Sequence, residues 1–353
     1  MNITLKAITL FVCLSCIATK AFSSDSTKVK DSDKFDLKIN LRGDYRGTFS
    51  EEASFSNFTM KPMMVTVSGT FNPMFSYCVR QRFDNPFEIQ ADGLPASTLM
   101  AYVDIKPVKG LNIRLGKQAI AFGSMEFDYN PIDVYFYSLV GSQTQGFSTG
   151  AMVGYSLGKQ SFAVQTTKVL DSPYMLDGYK SGFNNTFVWS SDFFNGAFKT
   201  LWSYTLTNAS KDKFLQQWMI GNQINVGRIQ VDLDYLQLSR YSMYELGNAE
   251  TPTQAKTTDR SYLANVRWFL PKDRVTLSAK CVYDESRAMG TRVTEQITSS
   301  AVVQYNLIPK YGLSLHAAYA FRVNNTPEAF SDKFTNANEN MFLAGFSWNF
   351  QPL

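Results

Sequence analysis

The chain has 353 residues, only 18% of them charged, with 34 Lys and Arg against 30 Asp and Glu. A balance this even leaves no electrostatic footprint for nucleic acid. No apolar stretch of about 18 residues follows residue 23, which excludes a helical membrane protein.

The aromatic content, 14% with 28 Phe and 18 Tyr, suits β-strands and the girdles of a membrane barrel. The N-terminus reads as a secretory signal over residues 1–23. Lys6 gives the positive region, Ala7 to Ala18 the apolar core, and Ala21-Phe22-Ser23 the small-x-small cleavage site. Cleavage leaves Cys78 and Cys281, which are too few for a disulfide scaffold. Residues 24–34 are a short polar leader, too short to plug a barrel.

From Phe35 to Arg46 every odd position is apolar, aromatic or Gly, and every even one is polar or charged. That is a strand with one face in an apolar medium and the other in water. The pattern recurs near 57–71, 74–84, 97–106, 111–122, 148–157, 160–170, 184–192, 197–207, 214–225, 228–239, 260–270, 274–286, 293–306, 311–323 and 340–350. Together with 35–47 these predict sixteen strands. Many are long enough for the nine to eleven residues, approximately, that a tilted strand needs to cross a bilayer. Short turns alternate with longer connections: Asn72-Pro73, Pro107 to Gly110, Gly158-Lys159, Phe193 to Gly196, Asn225 to Gly227, Pro271 to Asp273, Leu307 to Lys310. Alternating short turns and long loops is the signature of an antiparallel up-and-down transmembrane β-barrel. Residues 35–353 then form one all-β barrel in the bacterial outer membrane, with both termini on the short-turn side and lipid against the apolar face.

The faces read cleanly. Leu111, Ile113 and Leu115 point to lipid, as do Val275, Leu277 and Ala279. Asn112 and Arg114 point into the lumen, as do Asp232, Asp234, Lys280 and Asp284. The final alternation, Phe342 to Phe350, resembles the closing strand that outer-membrane proteins present to their assembly machinery.

The longest irregular connection is 123–147. Its stretch from Ser124 to Gln145 holds Glu126, Asp128, Asn130, Pro131 and Asp133 among five aromatics. It follows Arg114-Leu115-Gly116-Lys117-Gln118-Ala119-Ile120-Ala121-Phe122-Gly123. This run, with Glu126-Phe127, Asn130-Pro131 and Tyr135, resembles the outer-membrane porins of the phosphate-selective porin O/P family, with Ala121 where Pro is common. The resemblance implies a sixteen-stranded, trimeric channel for small hydrophilic solutes or anions, needing no cofactor. By strand count 123–147 is the third external loop, the one that such porins fold inward.

Register then nominates the constriction. Lys38, Arg42 and Arg46 share one face of strand 1, Arg80 and Arg82 share one face of strand 3, and Arg114 points in from strand 5. Facing them, the loop offers Glu126, Asp128 and Asp133. A basic wall against an acidic loop gives a transverse field that sets ion preference. Asp36, Asp44 and Asp104 lie on the same inward faces and dilute the basic charge. No continuous arginine ladder is traceable, so passive diffusion with mild anion preference is the expectation.

Two other classes of barrel fit the residues less well. A hydrolase needs a nucleophile beside a base. The single His, His316, shares a face with Ser314 two residues away, about 6–7 Å by strand rise, too far for that hydrogen bond. It reads as a solvated lumen histidine. A binding barrel or a transporter of hydrophobic compounds calls for a plug or for larger loops. One His and two separated Cys make no metal site.

Overall fold

The computed structural model describes residues 35–351, apart from 85–87, 171–173, 177–178, 180, 245–252 and 331–335. The expected signal peptide and leader lie outside the described residues. The chain forms sixteen strands: β1 (Phe35–Ser50), β2 (Ser54–Asn72), β3 (Phe75–Arg82), β4 (Thr98–Ile105), β5 (Leu111–Ala119), β6 (Phe147–Leu157), β7 (Gln160–Lys168), β8 (Phe183–Phe193), β9 (Phe198–Asn208), β10 (Phe214–Val226), β11 (Ile229–Tyr244), β12 (Thr253–Phe269), β13 (Val275–Ala288), β14 (Thr291–Ile308), β15 (Leu313–Asn325) and β16 (Glu339–Phe350). Each pairs antiparallel with the next, and β1 pairs with β16 to close the barrel. Closure leaves no sheet edge, the condition for placing strands in lipid.

The two faces invert the pattern of a soluble protein. On β7 Val164 is 57% exposed and its neighbour Gln165 1%. Leu233, Val266, Val303 and Leu315 are exposed, whereas Thr186, Thr205, Asp259, Ser261 and Ser347 are buried. In a single closed wall the buried face is the lumen, so the apolar face looks outward, as the alternation predicts.

Several boundaries differ from the sequence reading, β11 running on to Tyr244 rather than ending near 239, and two of them have identifiable reasons. β12 starts at Thr253 rather than near 260. Residues 253–259 are mostly polar on both faces, so they carry no period-2 signal, yet the ladder to β11 continues through Ser239↔Thr258 and Tyr241↔Lys256. β5 stops at Ala119 instead of running to Phe122. There the backbone leaves the ladder and its donors turn to lumen side chains: Ala121 N–H donates to Gln165 Oε1 (2.9 Å) and Gly123 N–H to Ser203 Oγ (2.8 Å).

The closing seam is tight at one point. A Cβ on Gly345 of β16 would lie 1.9 Å from the carbonyl oxygen of Gly43 on β1. Backbone on both sides leaves nothing to yield. Gly345→Val is therefore expected to block closure, read as loss of the heat-modifiable, fast-migrating folded band on a gel. An unchanged band would refute this.

Candidate functional site: the inward segment and the lumen wall

Residues 120–146 leave the wall after β5 and return at β6, and between these points they cross the lumen. Three short helical turns stiffen them: Met125–Asp128 and Leu139–Gln143, both α-helical, with the 3-10 turn Pro131–Asp133 between. Ser124, Asn130 and Ser138 cap these turns, each side chain accepting a backbone N–H.

The wall grips the segment with carboxylates. Asp234 on β11 accepts from Ser124 Oγ (2.8 Å), Met125 N–H (3.0 Å) and Glu126 N–H (2.9 Å). Asp284 on β13 accepts from Leu139 N–H (3.1 Å), and Ser261 Oγ on β12 accepts from Val140 N–H (3.2 Å). Charged acceptors on backbone donors are among the stronger hydrogen bonds. Beneath them lies an apolar bed. Ile120, Phe122, Phe127 and Val140 pack with Leu215, Met219, Leu236, Leu238, Leu263 and Val282 on the lumen face of β10–β13. Farther along, Ile132 packs on Met64 of β2 and Leu99 of β4, while Tyr135 and Phe136 meet Val302, Ala318 and Leu343. Thus the segment touches wall on nearly every side.

The expected basic residues separate into two sets. Arg42 is brought to the segment. Fully buried, it donates to the carbonyls of Ile132 (2.9 Å) and Val134 (3.4 Å), lies 4.3 Å over the Tyr135 ring and pairs with Asp44 at 2.9 Å. Most of the others find partners close by in the chain or on the wall. Lys38 pairs with Asp36 (3.1 Å), Arg82 with Asp84 (2.5 Å), and Arg114 with Asp104 through two bonds of 2.7 and 3.0 Å. Arg80 donates to Thr66 Oγ1 (2.9 Å), and Arg46 is exposed.

The acidic residues also part company. Glu126 is buried and takes Lys280 of β13 as its partner (2.5 Å), together with Ser138 N–H (3.1 Å) and Ser138 Oγ (2.7 Å). Lys280 also donates to the Phe136 carbonyl (2.9 Å). Asp128 is exposed. Asp133 is half-buried, and burial lifts its carboxyl above the usual range against the opposing pull of Arg267, Arg42 and His316.

His316 is not the solvated residue that the sequence suggests. Its Nε2 is 2.7 Å from Asp44 Oδ1, both side chains are buried, and the Tyr135 ring covers it at 4.9 Å between centroids. The inward segment shields it from lumen water. Ser314 Oγ donates elsewhere, to Asn306 Oδ1 (2.8 Å).

Between the segment and β11–β14 remains a polar cavity of about 70 Å³. Asp133 and Tyr129 line it from the segment, Arg267, Lys280, Asn265 and Gln304 from the wall. The Arg267 guanidinium lies 4.6 Å over the Tyr129 ring, whose hydroxyl donates to Asp232. Desolvation and the Asp232 carboxylate hold Tyr129 well above the ordinary tyrosine range, so it stays a neutral donor. Near the cavity, Arg42 Nη2, Asp133 Oδ1, Tyr135 Oη and His316 Nδ1 are buried without a protein partner. Such groups are ordinarily satisfied by water or solute.

Sequence reasoning placed Asp234, Lys280 and Asp284 on the lumen face without giving them a task. The bed carried a legible signal: Leu215, Met219, Leu236 and Leu238 are apolar at positions that the alternation assigns to the lumen. Apolar side chains facing the lumen mark where something docks.

A closed barrel of sixteen antiparallel strands, crossed by the connection after its fifth, defines the porin class of outer-membrane barrels. Solved structures share the fold. OmpF of Salmonella typhi, in complex with daunomycin, is 14% identical with a TM-score of 0.62, over 91% of this chain and 98% of that one. OmpT of Vibrio cholerae, an outer membrane protein, is 12% identical at 0.61, over 92% and 100%. An anion-selective porin from Comamonas acidovorans is 13% identical at 0.56, over 90% and 100%. No curated protein matches the sequence. The sequence profile of the family described as phosphate-selective porin O and P matches residues 35–181, from β1 to the connection after β7. The chain thus has the barrel fold of the outer-membrane porins, and its residues 35–181 resemble the phosphate-selective porin O and P family.

Proposed function

We propose that the protein is a passive channel for small hydrophilic solutes and ions, that residues 120–146 form its constriction, that it prefers anions mildly, and that it works as a homotrimer. It performs no catalysis. The observation that carries the reading is the polar gap left between the inward segment and β11–β14. Two cations from the wall, Arg267 and Lys280, stand there with Asp133 and Glu126 of the segment and with Asp232 and Asp234 of the wall. Opposed charges across a narrow gap orient polar solutes and favour one sign of ion.

The anion preference has a specific ground. Glu126 is neutralised by Lys280, and burial makes Asp133, which faces the Arg267 guanidinium, easier to protonate than a free aspartate. As pH falls from neutral, protonation of Asp133 removes negative charge from the gap, so the preference for anions is expected to rise. The trimer rests on the family resemblance and on the trimer form of the Vibrio cholerae OmpT structure.

The experiment is single-channel recording in a planar bilayer under a salt gradient, at neutral and mildly acidic pH. Stable steps in groups of three, a reversal potential of anion sign, and an increase of that potential in acid are expected. Cation selectivity would overturn the preference. A silent protein with an intact barrel would overturn the channel.

A further inference from the structure

The two ends of the barrel carry opposite charge. Seven short turns join strands at the end that holds both termini: 73–74, 106–110, 158–159, 194–197, 227–228, 270–274 and 309–312. By sequence they contain seven cations, Lys106, Lys109, Lys159, Arg228, Lys272, Arg274 and Lys310, against one acid, Asp273. All seven cations are exposed. The connections at the other end, leaving aside the inward segment, hold twelve Asp and Glu against four Lys.

Aromatic side chains stand beside the basic rim on the outward face. Phe71, Tyr155, Phe194, Trp268 and Tyr311 are all exposed there. Tyr311 follows Lys310 directly, and Trp268 and Tyr155 each lie four residues from a rim lysine. The Trp348 indole N–H donates to the Tyr311 carbonyl (2.9 Å), fixing its ring at the same level. Aromatic residues at that depth mark the boundary between hydrocarbon and headgroups. The cations just beyond them therefore sit at headgroup height. Lys159 Nζ reaches Asn195 (2.7 Å) and Arg228 Nη1 reaches the Leu270 carbonyl (2.9 Å), so each spans to the next turn along the rim.

We infer that this rim is a binding surface for anionic phospholipid headgroups, the phosphodiesters of the leaflet that adjoins the short turns. A neutral rim would serve the aromatic belt equally well. A rim of one sign around most of the circumference selects lipids of the other. Each Lys or Arg near an anionic surface strengthens association by about fivefold. The acidic connections at the opposite end remove that attraction there, so the preference belongs to one leaflet and also favours one orientation in the membrane.

The test uses the full-length refolded barrel in detergent and native mass spectrometry. Phosphatidylglycerol and phosphatidylcholine are titrated separately into the wild type and into a Lys106→Gln/Lys109→Gln/Lys272→Gln/Arg274→Gln variant. All four positions are exposed turn residues outside the lumen, so the gel-monitored barrel and its conductance are expected to persist. Expected is retention of phosphatidylglycerol at least tenfold above phosphatidylcholine in the wild type (about fivefold for each cation engaged), lost in the variant and in 1 M salt. Equal retention by the variant would overturn the inference. So would a wild type that ignores phosphatidylglycerol yet binds a soluble acidic cell-wall polymer, which would make the polymer the partner. Lys211→Gln/Lys213→Gln at the opposite end is the control and is expected to keep the full lipid preference.

Discussion

Replacing Lys280 by Met is expected to release the inward segment and make the channel noisy. Lys280 is 16% and Glu126 2% exposed at the side chain, so their ion pair is shielded from screening by water. Methionine keeps the stem but removes the ammonium that also holds the Phe136 carbonyl. Glu126 is then a buried carboxylate facing only the Ser138 donors. Removing one partner of a buried ion pair costs about 3–5 kcal/mol. A carboxylate in that position relieves the cost by moving toward water, and the segment moves with it. Limited proteolysis is expected to cut within 120–146 in the variant and not in the wild type. Single-channel traces are expected to flicker, with the reversal potential shifted toward cations. The double variant Lys280→Met/Glu126→Gln removes the stranded charge and is expected to restore most of the protection. A single variant indistinguishable from the wild type in proteolysis and in conductance would show that the pair does not hold the segment.

A larger change is expected from Gly123→Val. By Gly123 the segment has left the ladder and crosses toward β9. A Cβ there would lie 2.1 Å from Ser203 N and 2.3 Å from the Trp202 carbonyl carbon. Those atoms belong to a strand hydrogen-bonded on both sides, to β8 and β10, and cannot retreat. Overpacking ordinarily costs about 1–3 kcal/mol, and backbone overlap this close lies beyond what small shifts relieve. The segment is the less tethered party, so it yields: Gly123 loses its bond to Ser203, and Asp234 loses its three donors from residues 124–126. With the obstruction withdrawn, conductance is expected to rise by about twofold or more, since flow through a narrow pore follows its tightest section. Gly146→Ala is the matched control. It lies at the other root of the segment with open space around its Cβ, and its conductance is expected to stay at the wild-type value. Equal conductance in the two variants would mean that the segment does not set the size of the pore.

Much of the architecture is legible in the sequence because its causes are local. Alternation in Phe35 to Arg46 reflects a wall with lipid on one side and water on the other, and each strand reports that independently of its neighbours. Short turns such as Gly158-Lys159 and Pro271 to Asp273 break the pattern with residues that only turns favour. Sixteen such strands, and an irregular connection after the fifth, follow without knowledge of any contact.

The pairing inside the lumen follows a different rule. Glu126 meets Lys280 across 154 residues, and Arg42 meets the Ile132 carbonyl across 90. Register places Arg42, Arg80, Arg82 and Arg114 on inward faces, but it does not say which of them the segment covers. That depends on where the chain lies once it leaves the ladder. The course is set by the apolar bed of Leu236, Leu238, Leu263 and Val282, by the grip of Asp234 and Asp284, and by the local acids Asp36, Asp44 and Asp104, which occupy three of the wall cations before the segment arrives.

The sequence by itself determined the class of wall, its strands, its two faces and the place of the long connection, since period and turn chemistry act within a few residues. Only the tertiary structure decided which wall residues the segment binds, why His316 is shielded, and where the polar gap lies. Those outcomes come from closing a ladder over more than 300 residues and laying one connection across its interior, where distant side chains compete for the same backbone donors.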